Sequence, residues 1–476
     1  MSELPKGWEA TNALEVADPI RGVSYKKEQI IFTPAVGFTA VLRANNIQDN
    51  QLLFDDLVYV PNSNISADQR LKIGDIVIAM SSGSISVVGK SAQVSHDVDA
   101  SFGAFCGALR PKLNIESRYL GLFLKSDIYR KTISNLARGS NINNLKWAHF
   151  DEIPLPLAPL PEQKRIADKL DTVLARVDAC RERLNRVPLI LKRFKQSVLA
   201  AATSGKLTED WRNGNATSPT GCSDKEQPNL RTIQLGNLCD SIFDGPFGSN
   251  LKSDDYTAGG ERVIRLENIG HLNFDKSKET YVSKEKYQNL IKHRISPGDI
   301  LFSSFVDEEI RVCQFPGDLP TNAINKADCF CIRPNKAVLN AKYLTFHLAC
   351  RKTYTTLKEQ VHGATRPRIN LKHLKQFEII LPSLTEQQEI VRRVETLFAF
   401  ADRLEARLST ARNAADRLTP ALLAKAFRGE LVDQDPNDEP ASLLLQRLTE
   451  SREIANAKPG GGRTSKKARV AATSGE

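Results

Sequence analysis

LPEQKRIADKLDTVLARVDA runs from Leu160 to Ala179, and LTEQQEIVRRVETLFAFADR runs from Leu384 to Arg403. Both open on Leu-x-Glu-Gln and both place isoleucine next in register, so that Glu162, Gln163 and Ile166 recur as Glu386, Gln387 and Ile390 at a shift of 224 residues. Acid in a first helical turn suits the helix dipole. Beyond each opening, apolar residues step by alternating fours and threes: Ile166, Leu170, Val173, Val177, Cys180, Leu184, Val187, Leu191, Phe194, Val198, and again Ile390, Val394, Leu397, Ala401, Leu404, Leu408, Ala411, Ala415, Leu418, Leu422. That step is the seam of a coiled coil sustained over several heptads. Gly205 and Gly429 stand where a helix end favours glycine. Pro188 and Pro420 predict a kink or local break. Two matched seams in one chain have each other as partners.

The repeat extends outward from the helices. Gly74-Asp75-Ile76-Val77 returns as Gly298-Asp299-Ile300-Leu301, Tyr119-Leu120 as Tyr343-Leu344, and Ser204-Gly205-Lys206-Leu207 aligns with Arg428-Gly429-Glu430-Leu431. VLRANNI (41–47) matches VIRLENI (263–269) at a slightly smaller shift, as loop insertions would produce. Each copy therefore pairs a compact domain with a long helix. Ile73-Gly-Asp-Ile-Val-Ile-Ala and Ile295-Ser-Pro-Gly-Asp-Ile-Leu-Phe read as turns feeding buried strands, and helical spacing follows at Tyr119–Leu136 and Ala341–Leu357. The expected fold class is α/β, with two mixed α/β domains and an internal pseudo-twofold repeat. The predicted divisions are a first domain at 1–158, a first spacer helix at 159–207, a Gly/Ser/Pro/Asn-rich linker at 208–229, a second domain at 230–382, a second spacer helix at 383–432, and a largely flexible C-terminal extension at 433–476 carrying a short helical piece at Ala441–Ala457.

The formal net charge of +10 favours an anionic partner. Residues 162–206 hold eleven Lys/Arg against five Asp/Glu, and residues 457–476 hold five against one. No apolar run approaches a membrane helix, and the start shows no basic head leading an apolar core, so a cytoplasmic location is expected. The eight cysteines form no CxxC; Cys329 and Cys331 share one strand face and read as small core residues. Enzyme signatures are absent. SSGSISVVGKS (81–91) has serine at position 84, where a phosphate loop needs glycine, and no HExxH, GxSxG or Asn-Pro-Pro-Tyr sequence occurs. The chain reads as non-catalytic, with no metal or cofactor of its own.

The remaining unusual chemistry is in loops. Lys90, Ser91, Gln93, Arg138, Ser140, Asn141 and Asn143 in the first copy, and Ser249, Asn250, Lys252, His362, Thr365, Arg366 and Arg368 in the second, are side chains of the kinds that read base edges and hold phosphates. Glycine beside them lets backbone approach a ligand closely.

Taken together, the duplicated Leu-x-Glu-Gln helix starts, the Gly-Asp-Ile turns, the loop DGPFGSNLKS (244–253) and Arg-Gly-Glu-Leu (428–431) resemble the specificity subunit of type I restriction–modification systems over residues 1 to about 435. The resemblance implies two target-recognition domains separated by two long antiparallel coiled-coil helices. It implies double-stranded DNA as ligand, two methyltransferase subunits and motor-nuclease restriction subunits as partners, and S-adenosylmethionine, ATP and Mg2+ as cofactors of those partners. It makes Glu162, Gln163, Ile166 and Leu170, with Glu386, Gln387, Ile390 and Val394, the spacer and subunit-docking positions. Geometry adds a ruler. Like copies pack about a twofold axis, and the 41 residues from Glu162 to Ala202 span roughly 60 Å as helix. That exceeds one DNA turn of about 34–36 Å, so a bipartite target is expected. Loops that differ between the copies make it asymmetric. The competing reading is a coiled-coil adaptor, or a DNA-binding protein outside restriction–modification; duplicated α/β domains and the basic balance weigh against the adaptor.

Overall fold

The computed structural model describes residues 4–137, 143–215, 231–319, 322–359 and 367–457. The chain divides into two compact units, residues 1–183 with 411–476, and residues 184–410. The division falls within the spacer helices rather than at their ends, because each helix end is built into a domain.

In the first unit an antiparallel four-stranded sheet takes the order Ala17–Arg21, Cys106–Pro111, Ile76–Ala79, Ser91–Gln93. A second sheet aligns Phe38–Leu42 between Ala100–Phe102 and Val58–Pro61. The second unit repeats the first sheet as Cys239–Phe243, Cys329–Pro334, Ile300–Ser303, Val312–Gln314. The registers coincide: Cys106 lies opposite Ala79, and Cys329 opposite Ser303.

The Gly-Asp-Ile turn owes its recurrence to its aspartate. Gly74 and Gly298 adopt φ of +92° and +86°, which a side chain would strain. Asp75, 1% exposed, accepts the Lys72 backbone N–H at 2.8 Å and takes Arg110 in a two-pronged bond, Nε to Oδ1 at 2.8 Å and Nη2 to Oδ2 at 2.7 Å. Asp299 accepts the Ser296 N–H at 2.8 Å and holds Arg333 the same way, at 2.9 and 2.6 Å. One carboxylate thus closes a turn and ties it to the neighbouring strand in each copy.

The Glu-Gln pair fastens helix to domain. Gln163 accepts the Glu116 N–H at 3.1 Å and donates to the Ala158 carbonyl at 2.8 Å. Gln387 accepts the Asn340 N–H at 2.7 Å and donates to Val338 and Pro382 carbonyls at 3.0 Å. The glutamates share burial but differ in partner. Glu162 accepts the Trp8 indole N–H at 2.9 Å, whereas Glu386 accepts the Thr208 hydroxyl at 2.7 Å and Arg212 Nη2 at 2.7 Å. Residues 208–215, expected as linker, are therefore structured: Glu209–Asn215 is helical, and Arg212 is the counter-ion of a buried carboxylate. Composition alone concealed that pairing.

The spacer helices span Leu160–Thr203 and Leu384–Ala426. The first domain's core takes in Ile166, Ala167 and Leu170 from the start of the first helix, and Leu423 and Ala426 from the end of the second with Phe427 just after it. The second domain's core takes in Ile390 and Val394 from the start of the second helix, and Val198, Leu199 and Ala202 from the end of the first. Within each unit the helices therefore run antiparallel. Ile166, Leu170, Val177, Leu191 and Val198 are buried, as are Ile390, Val394, Ala401, Leu408 and Ala415, but Cys180 and Leu418 are exposed, so the seam is not uniformly dry.

Neither proline ends its helix, so no full break occurs at Pro188 or Pro420. Pro420 offers no N–H to the Asp416 carbonyl one turn back. Arg181 from the first helix donates to the Ala415 and Asp416 carbonyls at 3.1 and 3.4 Å, which replaces the missing donor. Gly205 and Gly429 cap the helices with φ of +74° and +71°, as expected.

After residue 432 the helical piece expected at Ala441–Ala457 is present, but residues 433–457 as a whole are structured rather than largely flexible, a second correction. Ala441 and Leu444 join the first domain's core, the Ala441 N–H donates to the Gly7 carbonyl at 2.9 Å, and Asp438 accepts Arg165 at 2.7 Å. Cys329 and Cys331 both face one apolar cluster, as the strand spacing predicts. Among the described residues no helix is long and apolar enough to cross a membrane.

His347 gives the second unit a pH dependence. Burial at 5% exposure pulls its imidazole down to about 4, with the Thr353 hydroxyl 3.3 Å from Nδ1. The unfolded chain takes up this proton near pH 6.5 while the folded one resists. Stability from this group is complete above about 6.5 and is lost as pH falls toward about 4, by about 3 kcal/mol. Asp244, described below, titrates with the opposite sign in an overlapping range. The measurement is therefore the difference in denaturant stability between His347→Leu and the parent at pH 7.5 and 4.5. A gap that does not move in the variant's favour on acidification refutes the assignment.

Candidate nucleic-acid interface

In both domains one corner gathers loops that are far apart in sequence. In the second domain, Gly245 crosses the backbone of Lys326–Ala327 so closely that a Cβ would fall 2.1 Å from the Lys326 carbonyl carbon, so only glycine fits. The turn continues to Asp328, at φ +69°. Ser304 binds it twice, through backbone N–H to carbonyl at 3.0 Å and hydroxyl to carboxylate at 3.1 Å. Arg368 Nε lies 3.3 Å from the Asp328 carboxylate, and its guanidinium stacks 4.7 Å above the Phe305 ring. A bridge between Phe305 and Arg368 and the Ile369 N–H to Ser304 carbonyl bond at 2.7 Å fix the two strands side by side. The result is an arginine held at its root with half its side chain in solvent.

Lys326 and Arg265 flank this corner over the Tyr256 ring, at 5.0 and 5.7 Å. Burial raises the Asp244 carboxyl to about 6, and nearby Asp328 adds to the rise while the Gly245 N–H and Arg368 oppose it. The carboxyl is thus protonated more readily than that of an exposed aspartate.

The first domain builds the same corner from other side chains. Gly22 crosses Gly103, where a Cβ would fall 2.1 Å from the Gly103 carbonyl oxygen. The Phe105 carbonyl accepts Met80 and Ser81 N–H at 2.8 and 3.2 Å, and Leu145 N–H donates to Met80 at 2.7 Å. Ser82 pairs with Asn143 and Ser81 with Asn144. The Phe105 ring stands 71% exposed, and Arg21 beside Gly22 is exposed as well.

The expected contact residues fare unevenly. Arg368 sits in the corner. Ser249, Asn250 and Lys252 are exposed on the loop that leaves Asp244, anchored by buried Leu251. Lys90 is half-buried beside the first corner. Ser91 is 2% exposed with its hydroxyl on the Leu124 carbonyl, and Gln93 donates to the Gly74 carbonyl at 3.2 Å; both point inward and brace the sheet instead of facing a ligand, because they alternate into the domain on their strand. Arg138, Ser140, Asn141, His362, Thr365 and Arg366 lie outside the described residues, and Asn143 is described only by its strand pairing. Sequence reading missed Arg21, Phe105, Phe305, Lys326 and Asp328. A shift of 223 would have found the turn, since Gly103-Ala-Phe-Cys106 aligns with Lys326-Ala-Asp-Cys329.

The eight spacer positions are likewise interior. Glu162, Gln163, Ile166 and Leu170, and Glu386, Gln387, Ile390 and Val394, are each no more than 4% exposed within their own unit. They join helix to domain and offer no face to another subunit. Lys164, Lys169, Gln388 and Arg392 are their outward neighbours.

Among the described residues no group of His, Cys, Asp and Glu could hold a metal ion. With two copies of one α/β domain, two spliced helices and two matched polar corners in hand, the comparison with known sequences is decisive. The pattern of the type I restriction modification DNA specificity domain matches twice, at residues 5–189 and 235–411. The chain belongs to the type I restriction–modification specificity subunits. It is 37% identical to the EcoKI specificity subunit of Escherichia coli K12, over 96% of this chain and 98% of that one. It is also 37% identical to the StySPI specificity subunit of Salmonella potsdam, over 98% and 99%. The fold is similar to the HsdS subunit of Thermoanaerobacter tengcongensis, with a TM-score of 0.58 at 19% identity over 90% of this chain and 98% of that one. A chain from a type I R-M system solved for complex assembly and conformational transition gives a TM-score of 0.61 at 19% identity, over 90% and 100%. The two sequence relatives match over nearly the whole of this chain, and the two solved chains over 90% of it.

Proposed function

We propose that the chain is the non-catalytic component that selects the DNA sequence for a type I restriction–modification enzyme. Each α/β domain reads one half of a bipartite, asymmetric double-stranded target, and the two spacer helices set the unread gap. Two methyltransferase subunits dock on the assembly through outward faces such as Lys164 and Lys169 or Gln388 and Arg392, and restriction subunits join them. S-adenosylmethionine, ATP and Mg2+ are then used by those partners. The observation that carries this reading is the splice: each domain's core holds the start of its own helix and the end of the other. The chemistry of the two corners differs, so the half-sites differ.

The test is a matched insertion. Seven residues added after Val177 and seven after Ala401 keep the heptad phase and lengthen the pair by about 10 Å. Reconstituted with methyltransferase subunits, the variant is expected to methylate the same half-sites separated by about three more base pairs, at roughly 3.4 Å each. The chain without those subunits serves as the control and is expected to transfer no methyl group. An unchanged gap refutes the ruler.

A further inference from the structure

The two corners share much of one backbone frame. Gly22 corresponds to Gly245, Met80–Ser81 to Ser304–Phe305, Phe105 to Asp328, and Asn144 to Arg368; Met80 N–H to Phe105 carbonyl matches Ser304 N–H to Asp328 carbonyl, and Leu145 N–H to Met80 matches Ile369 N–H to Ser304. Conserving the frame while exchanging nearly every side chain on it is what a reading surface requires. In the second domain the frame presents Arg368, rooted by Asp328 and backed by Phe305. In the first domain the same turn presents an aromatic ring, with 71% of Phe105 in solvent and no arginine at the place of Asn144. An exposed phenyl on a turn fixed by two backbone bonds is not explained by packing. Arg21, exposed at the place of Asp244, supplies positive charge beside it.

We propose that this corner is the base-reading head of each domain: Phe105 contacts the 5-methyl group of a thymine in the first half-site, and Arg368 donates to the O6/N7 edge of a guanine in the second. The chemistry follows from the groove. A thymine methyl is the one apolar group that base pairs present in the major groove of unmodified DNA, and guanine alone presents two adjacent acceptors that match a guanidinium. With Nε committed to Asp328, the Arg368 terminal nitrogens remain to donate. This assignment rests on the specificity-subunit reading above.

The experiment uses the full chain reconstituted with methyltransferase subunits, first on a randomised library and then on the preferred target carrying base analogues. Deoxyuridine in place of the first half-site thymine removes only the methyl group. It is expected to lower methylation by the parent about fourfold and to leave Phe105→Ala unaffected. A 7-deazaguanine in the second half-site removes only N7. It is expected to lower methylation by the parent about tenfold and to leave Arg368→Ala unaffected. The analogue arm on the parent alone needs no variant, so a folding defect in Arg368→Ala does not blunt it. A first half-site without an A·T pair, a second without a G·C pair, or analogues that do not change the parent's rate overturns the proposal. So does a variant that weakens every sequence equally, which marks a phosphate contact. Failure of the complex to methylate any library member instead refutes the specificity-subunit reading, and the two failures are distinct.

Discussion

Asp75→Ala is expected to remove about 3–5 kcal/mol from the stability of the first unit. The carboxylate is 1% exposed and its partner Arg110 is 19% exposed in the side chain, so deletion leaves a largely buried guanidinium without its counter-charge. The Lys72 N–H loses its acceptor in the same stroke. Asp75→Asn keeps an acceptor for that N–H and should lose roughly half as much. Asp299→Ala should also cost less, because Arg333 is 35% exposed in its side chain and water takes over part of the solvation. Urea denaturation, with hydrogen exchange across residues 72–110, reads the effect. A loss below about 1 kcal/mol for Asp75→Ala would show that the turn does not depend on its carboxylate.

Phe427→Ala carries a comparable penalty, about 3–5 kcal/mol. The ring is 2% exposed and meets Tyr119 and Phe123 edge-on, with centroids at 5.2 and 5.3 Å. Because Phe427 follows directly on the second spacer helix, its removal acts on more than packing. It loosens the grip of the first domain on a helix that begins in the other one. Amide exchange is expected to rise from Leu423 through the Ala441–Ala457 helix as well as in Ser117–Phe123. Phe427→Leu, which keeps most of the volume, should lose less than about 1.5 kcal/mol. Protection that falls only around Tyr119 would mean that the helix end is held by other contacts.

The parts of this architecture that were legible in the sequence are those written along a line. The heptads, the capping glycines and the Gly-Asp-Ile turns are local patterns, and a shift of 224 residues doubles each of them. Partners chosen across the fold were not legible. Nothing near Glu162 announces Trp8, 154 residues away, and nothing near Glu386 announces Arg212, 174 residues away. The same blindness turned Thr208–Asn215 into a linker and left the extension after residue 432 without a place. Ser91 and Gln93 looked like ligand groups because they are polar and lie beside glycine and lysine. Their strand alternates, and the alternation sends them inward. Phe105 is missed for the converse reason, since a phenylalanine in a strand-rich stretch normally packs, as Phe102 does.

The first unit is assembled from both ends of the chain, and this decides the order in which a ribosome can complete the protein. Residues 184–410 emerge as an uninterrupted stretch and contain everything their own core requires. The first domain, although made earlier, must wait for Leu423, Phe427, Ala441 and Leu444. Translation of the 227 residues between 183 and 411 takes roughly 10–50 s at bacterial-to-eukaryotic elongation rates. Throughout that interval Tyr119, Phe123 and Trp8 lack their final cover. The half translated first is therefore the half that folds last, and a chain released early exposes its N-terminal core rather than its C-terminal one.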